Sequence, residues 1–329
     1  MTFRQDRRNA LATGAALAAS FAIPAWAQDK PTLRLNLVIG DKDIRAETFR
    51  RFAKDVEADA KVEPYYNSTL FKQGTELVAL QRDNLEIANI SPSDVAKQVP
   101  AWSLLGSAYL FRDAQHVLSF FRSDVGAYWT KMAEDQLKVK ILGPVYYGTR
   151  QVGLKPKKKI ATPADMAGIK LRMPPGDSWQ LLGRSLGANP TPLAFAEVYT
   201  ALQTGTIDGQ DNPLVNVYNN KFHEVMSQIV LTSHWVAFDV VAMSQKSWNA
   251  LGADKQKRFQ AALDKALVWC ADEHLKQEAS LLDNIKKAGL EVYTPDVAAF
   301  RANAQKVYLA SDEAKNWPQG MMEKIAAVK

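Results

Sequence analysis

One cysteine, Cys270, stands in the whole 329-residue chain. With no second thiol to pair with, an internal disulfide is excluded, and the fold must be stabilised by packing alone. Cys270 sits in the helical-looking stretch "ALVWCADEH", where it reads as a small buried hydrophobe. Histidine is almost as scarce. His116, His223, His234 and His274 are the full set, and no two have the spacing of a zinc site or of H-E-x-x-H. There is no G-x-S-x-G elbow, no phosphate-binding P-loop and no G-x-G-x-x-G turn. Acidic residues are plentiful, but no pair is singled out for glycoside hydrolysis. No cofactor or metal is therefore expected, and an enzyme acting on organic acids is the weakest of the readings kept open.

Charge of one sign is also missing in bulk. Lys and Arg number 41 against 35 Asp and Glu, a formal balance of +6, and the two signs are interspersed. The densest basic run, "KPKKK" at 155–159, is short and loop-like. That pattern is a solvated surface, not a nucleic-acid stripe. A mild positive field can still draw in small anions.

What is present begins with "MTFRQDRRNALATGAALAASFAIPAWAQ". A basic start (Arg4, Arg7, Arg8), a short run of small apolar residues and Ala25-Trp26-Ala27 together read as a secretory signal peptide over residues 1–27. The apolar part is too short to span a bilayer. Arg7-Arg8 also suits twin-arginine export. The mature chain is expected to start near Gln28 and to act in the periplasm, and any membrane partner is expected to be another chain. Roughly 300 mature residues exceed what one compact core usually holds, so two lobes are expected.

Strand and helix patterns alternate. "TLRLNLVIG" places Leu33, Leu35, Leu37 and Ile39 on one face of a strand. "IRAETFRRFAKDVEADA" repeats Ile44, Phe49, Phe52 and Val56 at helical spacing. "KVEPYYN" reads as a strand, "GTELVALQRDN" as a helix and "LEIANIS" as another strand. Such alternation predicts an α/β fold with mostly parallel sheets flanked by helices. Proline is absent from 253–289, where Phe259, Leu263, Leu267, Cys270, Leu282 and Ile285 recur every three or four residues before Gly289. This predicts one very long helix, or two nearly joined, able to run across both lobes.

A short repeat supports two related lobes. "ALQRDNLEIANISP" (79–92) and "ALQTGTIDGQDNP" (201–213) share A-L-Q, three spacer residues, a branched apolar residue and an acid. Ligands of open α/β sheets lie beyond the carboxyl ends of the strands. The candidate walls are then Asn89-Ile90-Ser91, Gln210-Asp211-Asn212 and the end of "GIKLRM". In that last stretch Ile169, Leu171 and Met173 share one face, leaving Lys170 and Arg172 on the other. On periodicity alone Arg172 is a surface residue. Its place at a strand end, before Pro174-Pro175-Gly176, equally suits a planar fork for a carboxylate.

The ordered series "TPADMAGIKLRM", then "LGANPTPLAFAEVYTALQTGTIDGQDNP", closely resembles the solute-binding subunits of TRAP (tripartite ATP-independent periplasmic) transporters, of the dicarboxylate-binding type. The resemblance extends outward through "YYGTRQVGLKPKKKIA" and "NKFHEVMSQIVLTSHW", and more weakly over most of the mature chain. It implies a two-lobed periplasmic-binding-protein fold joined by hinge strands and a long C-terminal helix. It also implies that an organic acid is held between the lobes without chemistry, for delivery to a small and a large membrane subunit. By that resemblance the carboxylate-pairing arginine is Arg172, the asparagine after the D-G-Q acid is Asn212, the packing aromatic is Phe195 and a second cleft arginine is Arg150.

First-lobe contacts are the least defined: "VIGDKDIR", "NSTLFKQGTE" and "NISPS" are the candidate segments, with Glu76 and Asn89 as candidate residues. Tyr147 and Trp235 join them as aromatics near the cleft, along with Tyr146 and Trp179. Each has a plainer reading. Phe195 suits a core, Asn212 before Pro213 suits a turn, and Asp208-Gly209 reads as turn chemistry. The lobes are expected over 28–149 plus about 238–277, and 150–237 plus about 278–329. A monomer is expected. The ligand is left as a small organic anion: dicarboxylate, hydroxy or keto acid, sugar acid or aromatic acid. An ABC permease or a sensor is the alternative partner.

Overall fold

The computed structural model describes residues 30–329; the expected signal peptide lies outside them. The first predicted strand is β1, Thr32–Asn36. It is followed by the helix Ile44–Asp55 and by β2, Lys61–Tyr65. The helix Glu76–Gln81 then leads into β3, Ile87–Ile90. The apolar residues that set these patterns are buried: Leu33, Leu35, Leu37, Phe49, Phe52 and Val56 all face the core. Asp43 starts the first helix by accepting the Arg45 backbone N–H, as an N-cap should.

The chain next forms two helices, Ala114–Arg122 and Asp124–Leu137, and enters a long strand, β4, Val139–Leu154. A second βαβαβ run follows. It comprises β5, Lys170–Met173, the helix Asp177–Ser185, β6, Asn189–Pro192, the helix Val198–Thr204 and β7, Gly209–Pro213. A second long strand, β8, Gln228–Ser244, returns antiparallel to β4. The proline-free segment is one helix, Ala253–Lys287, with Gly289 beyond it at φ +94°. A short strand, β9, Glu291–Tyr293, pairs with the start of β8.

The nine strands of the described residues belong to one sheet, in the order β2-β1-β3-β8-β4-β7-β5-β6, with β9 on β8. The order is the same read inward from either edge. β1 pairs in parallel with β2 and β3, and β3 pairs antiparallel with β8. β5 pairs in parallel with β6 and β7, and β7 pairs antiparallel with β4. The A-L-Q repeat therefore marks equivalent helix–strand units. Even its acids do the same work. Glu86 accepts the Arg34 backbone N–H at 2.8 Å, and Asp208 accepts the Lys170 backbone N–H at 2.8 Å. Each carboxylate satisfies a backbone donor where the neighbouring strand pair opens, so Asp208 is a strand-edge acceptor and not only a turn residue.

The sheet is covered on both faces. Along β8, Val240 and Ala242 belong to one apolar layer, and Val241 and Met243 to the other. The long helix lies on the second layer, where Phe259 meets Phe52 edge-on at 4.8 Å between ring centroids. Cys270 lies there too, fully buried, and burial pushes its thiol up to about 12.

β4 is bent by irregularities near Ile141, Tyr146 and Arg150. Gly148 has φ +116°, and an added Cβ would lie 2.6 Å from Pro213 Cβ and 2.8 Å from Glu278 Oε1. Gly148→Ala should therefore fold with a loss of about 2–5 kcal/mol, from backbone strain and overpacking. Urea unfolding monitored by tryptophan fluorescence checks this, and an unchanged midpoint would count against the strain.

Candidate binding cleft

The carboxyl ends of β1, β3, β5 and β7 converge on one cavity. Its wall carries Val38 and Ile39 after β1, Asn89 and Ser91 at β3, Arg172 and Pro174 at β5, and Asn212 at β7. This is where an open α/β sheet places a ligand. Tyr147, Arg150, Phe195 and Glu76, the other expected residues, also line it. Trp235 does not. It lies one layer behind, its ring edge-on to Trp179 at 5.0 Å, and Trp179 takes the wall position. Arg150 and Trp179 stand in front of it: Trp235 pairs with Arg150 across β4 and β8, the Arg150 guanidinium carbon lies 5.9 Å from its ring, and it is sealed at 1% exposure. Tyr146 also points away, its hydroxyl donating to Glu278 on the long helix at 3.0 Å.

The two arginines of the second half are held in different ways. Arg150 is buried and committed. Its Nε donates to Asp211 Oδ2 at 2.6 Å and its Nη2 to Oδ1 at 2.8 Å, with a further bond to the Asp211 carbonyl. His234 Nε2 lies 3.1 Å from the same Oδ2. A carboxylate only accepts, so Nε2 carries the proton, and the Thr232 hydroxyl donates to Nδ1 at 2.8 Å. Burial lowers the His234 pKa and keeps the ring neutral. Burial also pushes the Asp211 carboxyl up, but Arg150 and His234 outweigh it and hold Asp211 well below the usual carboxylate range.

Arg172 is the opposite case. It is 1% exposed, not the surface residue that alternation alone suggests. Its Nε donates to the Leu193 carbonyl at 2.8 Å, while Nη2 is buried with no partner. Among the described residues no carboxylate stands within ion-pair distance of it. Burial first, and Arg150 second, push its pKa down to about 9. The Phe195 ring lies 5.8 Å from the guanidinium carbon. Asn212 is oriented by donating to Gln210 Oε1 at 2.5 Å.

The first-half wall is rich in acceptors. Asn89 Nδ2 donates to Asp239 Oδ2 at 2.7 Å, leaving Asn89 Oδ1 buried without a partner. Arg45, the last residue of "VIGDKDIR" and not singled out by sequence reading, is held by Asp43 (2.9 Å) and lies 3.5 Å from Asp239. Its guanidinium stacks on Tyr147 at 4.4 Å. Asp239 was missed as well; burial pushes its pKa up to about 6. Burial and neighbouring Asp94 push Glu76 up to about 8. Glu76 Oε2 accepts the Gly74 N–H at 2.7 Å. The two halves already touch across the cavity, since the Phe195 N–H donates to Gln73 Oε1 at 2.9 Å.

Two related α/β half-sheets, crossed by two shared strands and enclosing polar side chains at their strand ends, define a cleft-type solute-binding protein. The profile of the bacterial extracellular solute-binding protein family 7 (DctP) matches residues 36–314, and the chain belongs to that family. A TRAP periplasmic solute-binding protein from Roseobacter denitrificans, solved with bound 3-deoxy-D-manno-oct-2-ulosonic acid, is similar at TM-score 0.90 and 39% identity, over 92% of this chain and 100% of that one. One from Sulfurospirillum deleyianum, with bound succinate, gives TM-score 0.81 and 28% identity over 91% and 99%. The sialic acid-binding periplasmic protein SiaP of Vibrio cholerae is 29% identical over 276 residues, 83% of this chain and 84% of its own length. The two solved relatives are TRAP periplasmic solute-binding proteins, the class that the sequence motifs suggest.

Asp211→Asn should destabilise the protein by about 3–5 kcal/mol, because Arg150 would stay buried without its counter-charge. The Asp211 pKa is lower folded than unfolded, so its contribution is complete above about pH 4 and is lost as pH falls below that. The gap between wild type and Asp211→Asn, read from urea melts, should be widest near neutrality and shrink below about pH 4. A gap that is constant with pH would show that Asp211 titrates normally.

Proposed function

We propose that the chain is an exported solute-binding protein that holds a small organic acid between its two halves, with Arg172 as the carboxylate anchor. One observation carries this reading: a fully buried guanidinium, without a counter-ion, that presents an unpartnered N–H at a cavity. Burying such a charge is costly unless something anionic arrives to pair it. Asn212 supplies a neutral hydrogen bond beside it, and Phe195 and Trp179 supply apolar cover. The acids bound by the Roseobacter and Sulfurospirillum relatives are in keeping with this class.

Arg150 acts as a structural cation that shapes the site, and not as a second anchor. The lobes are assigned to 28–149 with about 238–277, and 150–237 with about 278–329. In support, Gly148 pairs with Ala237 and Thr149 with Val236, so both boundaries fall at one level of the sheet. Closure about that level would bring Gln73 to Phe195. The expected recipients are the small and large membrane subunits of a TRAP transporter, in keeping with family membership.

Arg172→Lys keeps the charge but loses the planar fork. Both Arg172→Lys and Arg172→Ala should fold and melt near or above wild type, since the site is a cavity and not a packed core. Each should bind an acid that stabilises the wild type more weakly by about 2–5 kcal/mol, some 30-fold to several-thousand-fold. Asn212→Ala should lose about 1 kcal/mol. A thermal-shift screen of organic acids followed by calorimetric titration measures this. Undiminished affinity in both Arg172 variants would refute the anchor.

A further inference from the structure

Given Arg172 as the anchor, the rest of the wall restricts what else the ligand carries. Among the described residues of the wall, the second half has Arg172 as its cation without a counter-ion. Arg150, beside it, already has both carboxylate oxygens of Asp211. That end therefore suits one anionic group. Among the described residues, the first half has no uncommitted cation on the wall. Arg45 is engaged by Asp43 through two of its nitrogens and by Asp239 through a third. What is unmet there is an acceptor. Asn89 Oδ1 is buried and unpartnered, and its assignment as oxygen is fixed by its own amide nitrogen. That nitrogen faces the Asp239 carboxylate at 2.7 Å, and a carboxylate can only accept.

We propose that this cleft selects a monocarboxylate bearing hydroxyl groups remote from the carboxylate, and rejects an acid with a second carboxylate at that end. A remote hydroxyl would donate to Asn89 Oδ1 and satisfy it. A second carboxylate would offer no donor to Asn89 and would sit against Asp239 with no free cation to receive it. A hydroxyl fits better than an ammonium. The unmet acceptor is a neutral amide, and Asp239 Oδ2 already takes the Asn89 amide nitrogen at 2.7 Å and lies 3.5 Å from Arg45.

Matched pairs test the idea: erythronate against tartrate, gluconate against glucarate and galactonate against galactarate. Each pair shares a carbon skeleton and differs in the far group. Hexanoate supplies the carboxylate alone, and sorbitol the hydroxyls alone. Calorimetric titration of the purified protein should find at least one aldonate binding more than about 30-fold tighter than its diacid partner and than hexanoate. Asn89→Ala should weaken that aldonate by about 10-fold or more and leave hexanoate unchanged. A diacid binding as tightly as its aldonate partner, or hexanoate matching every aldonate, overturns this selectivity while leaving Arg172 as anchor. An Asn89→Ala loss shared equally by hexanoate overturns it too. Binding of sorbitol with no acid bound at all overturns the anchor itself, and this inference with it.

Discussion

The Arg150–Asp211 ion pair sets the electrostatics of the cleft. Two guanidiniums lie buried close together, Arg150 within β4 and Arg172 near the end of β5, and each raises the cost of charging the other. Asp211, held on its far side by His234, takes both bonds from Arg150. Arg150 is thereby neutralised within the protein. Arg172 is left with one carbonyl and an unpartnered nitrogen. Had Asp211 bridged both arginines, the cleft would hold no net attraction for an anion. The division of labour follows from strand register. Arg150 pairs opposite Pro213 across β4 and β7, within reach of Asp211. Arg172 pairs in parallel with Gln210 across β5 and β7, and its head passes toward the Leu193 carbonyl.

The sheet makes this arrangement stiff in one place and deformable in another. Each half is a βαβαβ unit whose third parallel strand abuts a long strand shared with the other half. The long strands, β4 and β8, and the helix Ala253–Lys287 are the main continuous elements between halves. Irregularities in β4 at Tyr146 and Arg150, and the left-handed backbone at Gly148, concentrate bending beside the cleft. Few-residue bends between rigid bodies are the usual form of hinge closure. The Gln73–Phe195 contact shows how little separates the walls here.

Much of this was legible in the residue order. Alternation in β1, helical spacing in Ile44–Asp55, the absence of proline from 253–287 and the A-L-Q repeat each report local geometry, and the elements follow them. The motif around "GIKLRM" and "DGQDNP" carried the family, and with it the location of Arg172 and Asn212. Arg45 and Asp239 were not singled out as wall residues. They enter the cleft from the first helix and the return strand β8, and no short pattern joins them.

The sequence by itself determined which segments become strands and helices, that two similar units occur, and which strand ends carry polar residues. Those properties depend on neighbours a few positions apart. Only the tertiary structure decided which charges remain unpaired. Arg150 meets Asp211 across 61 residues and Asn89 meets Asp239 across 150, and these contacts neutralise one arginine and turn one amide. Burial of Arg172 is likewise imposed by groups more than twenty residues away, the Leu193 carbonyl and the Phe195 ring among them. Pairing, desolvation and side-chain orientation belong to groups brought together in space, so local periodicity, which made Arg172 a surface residue, could not contain them.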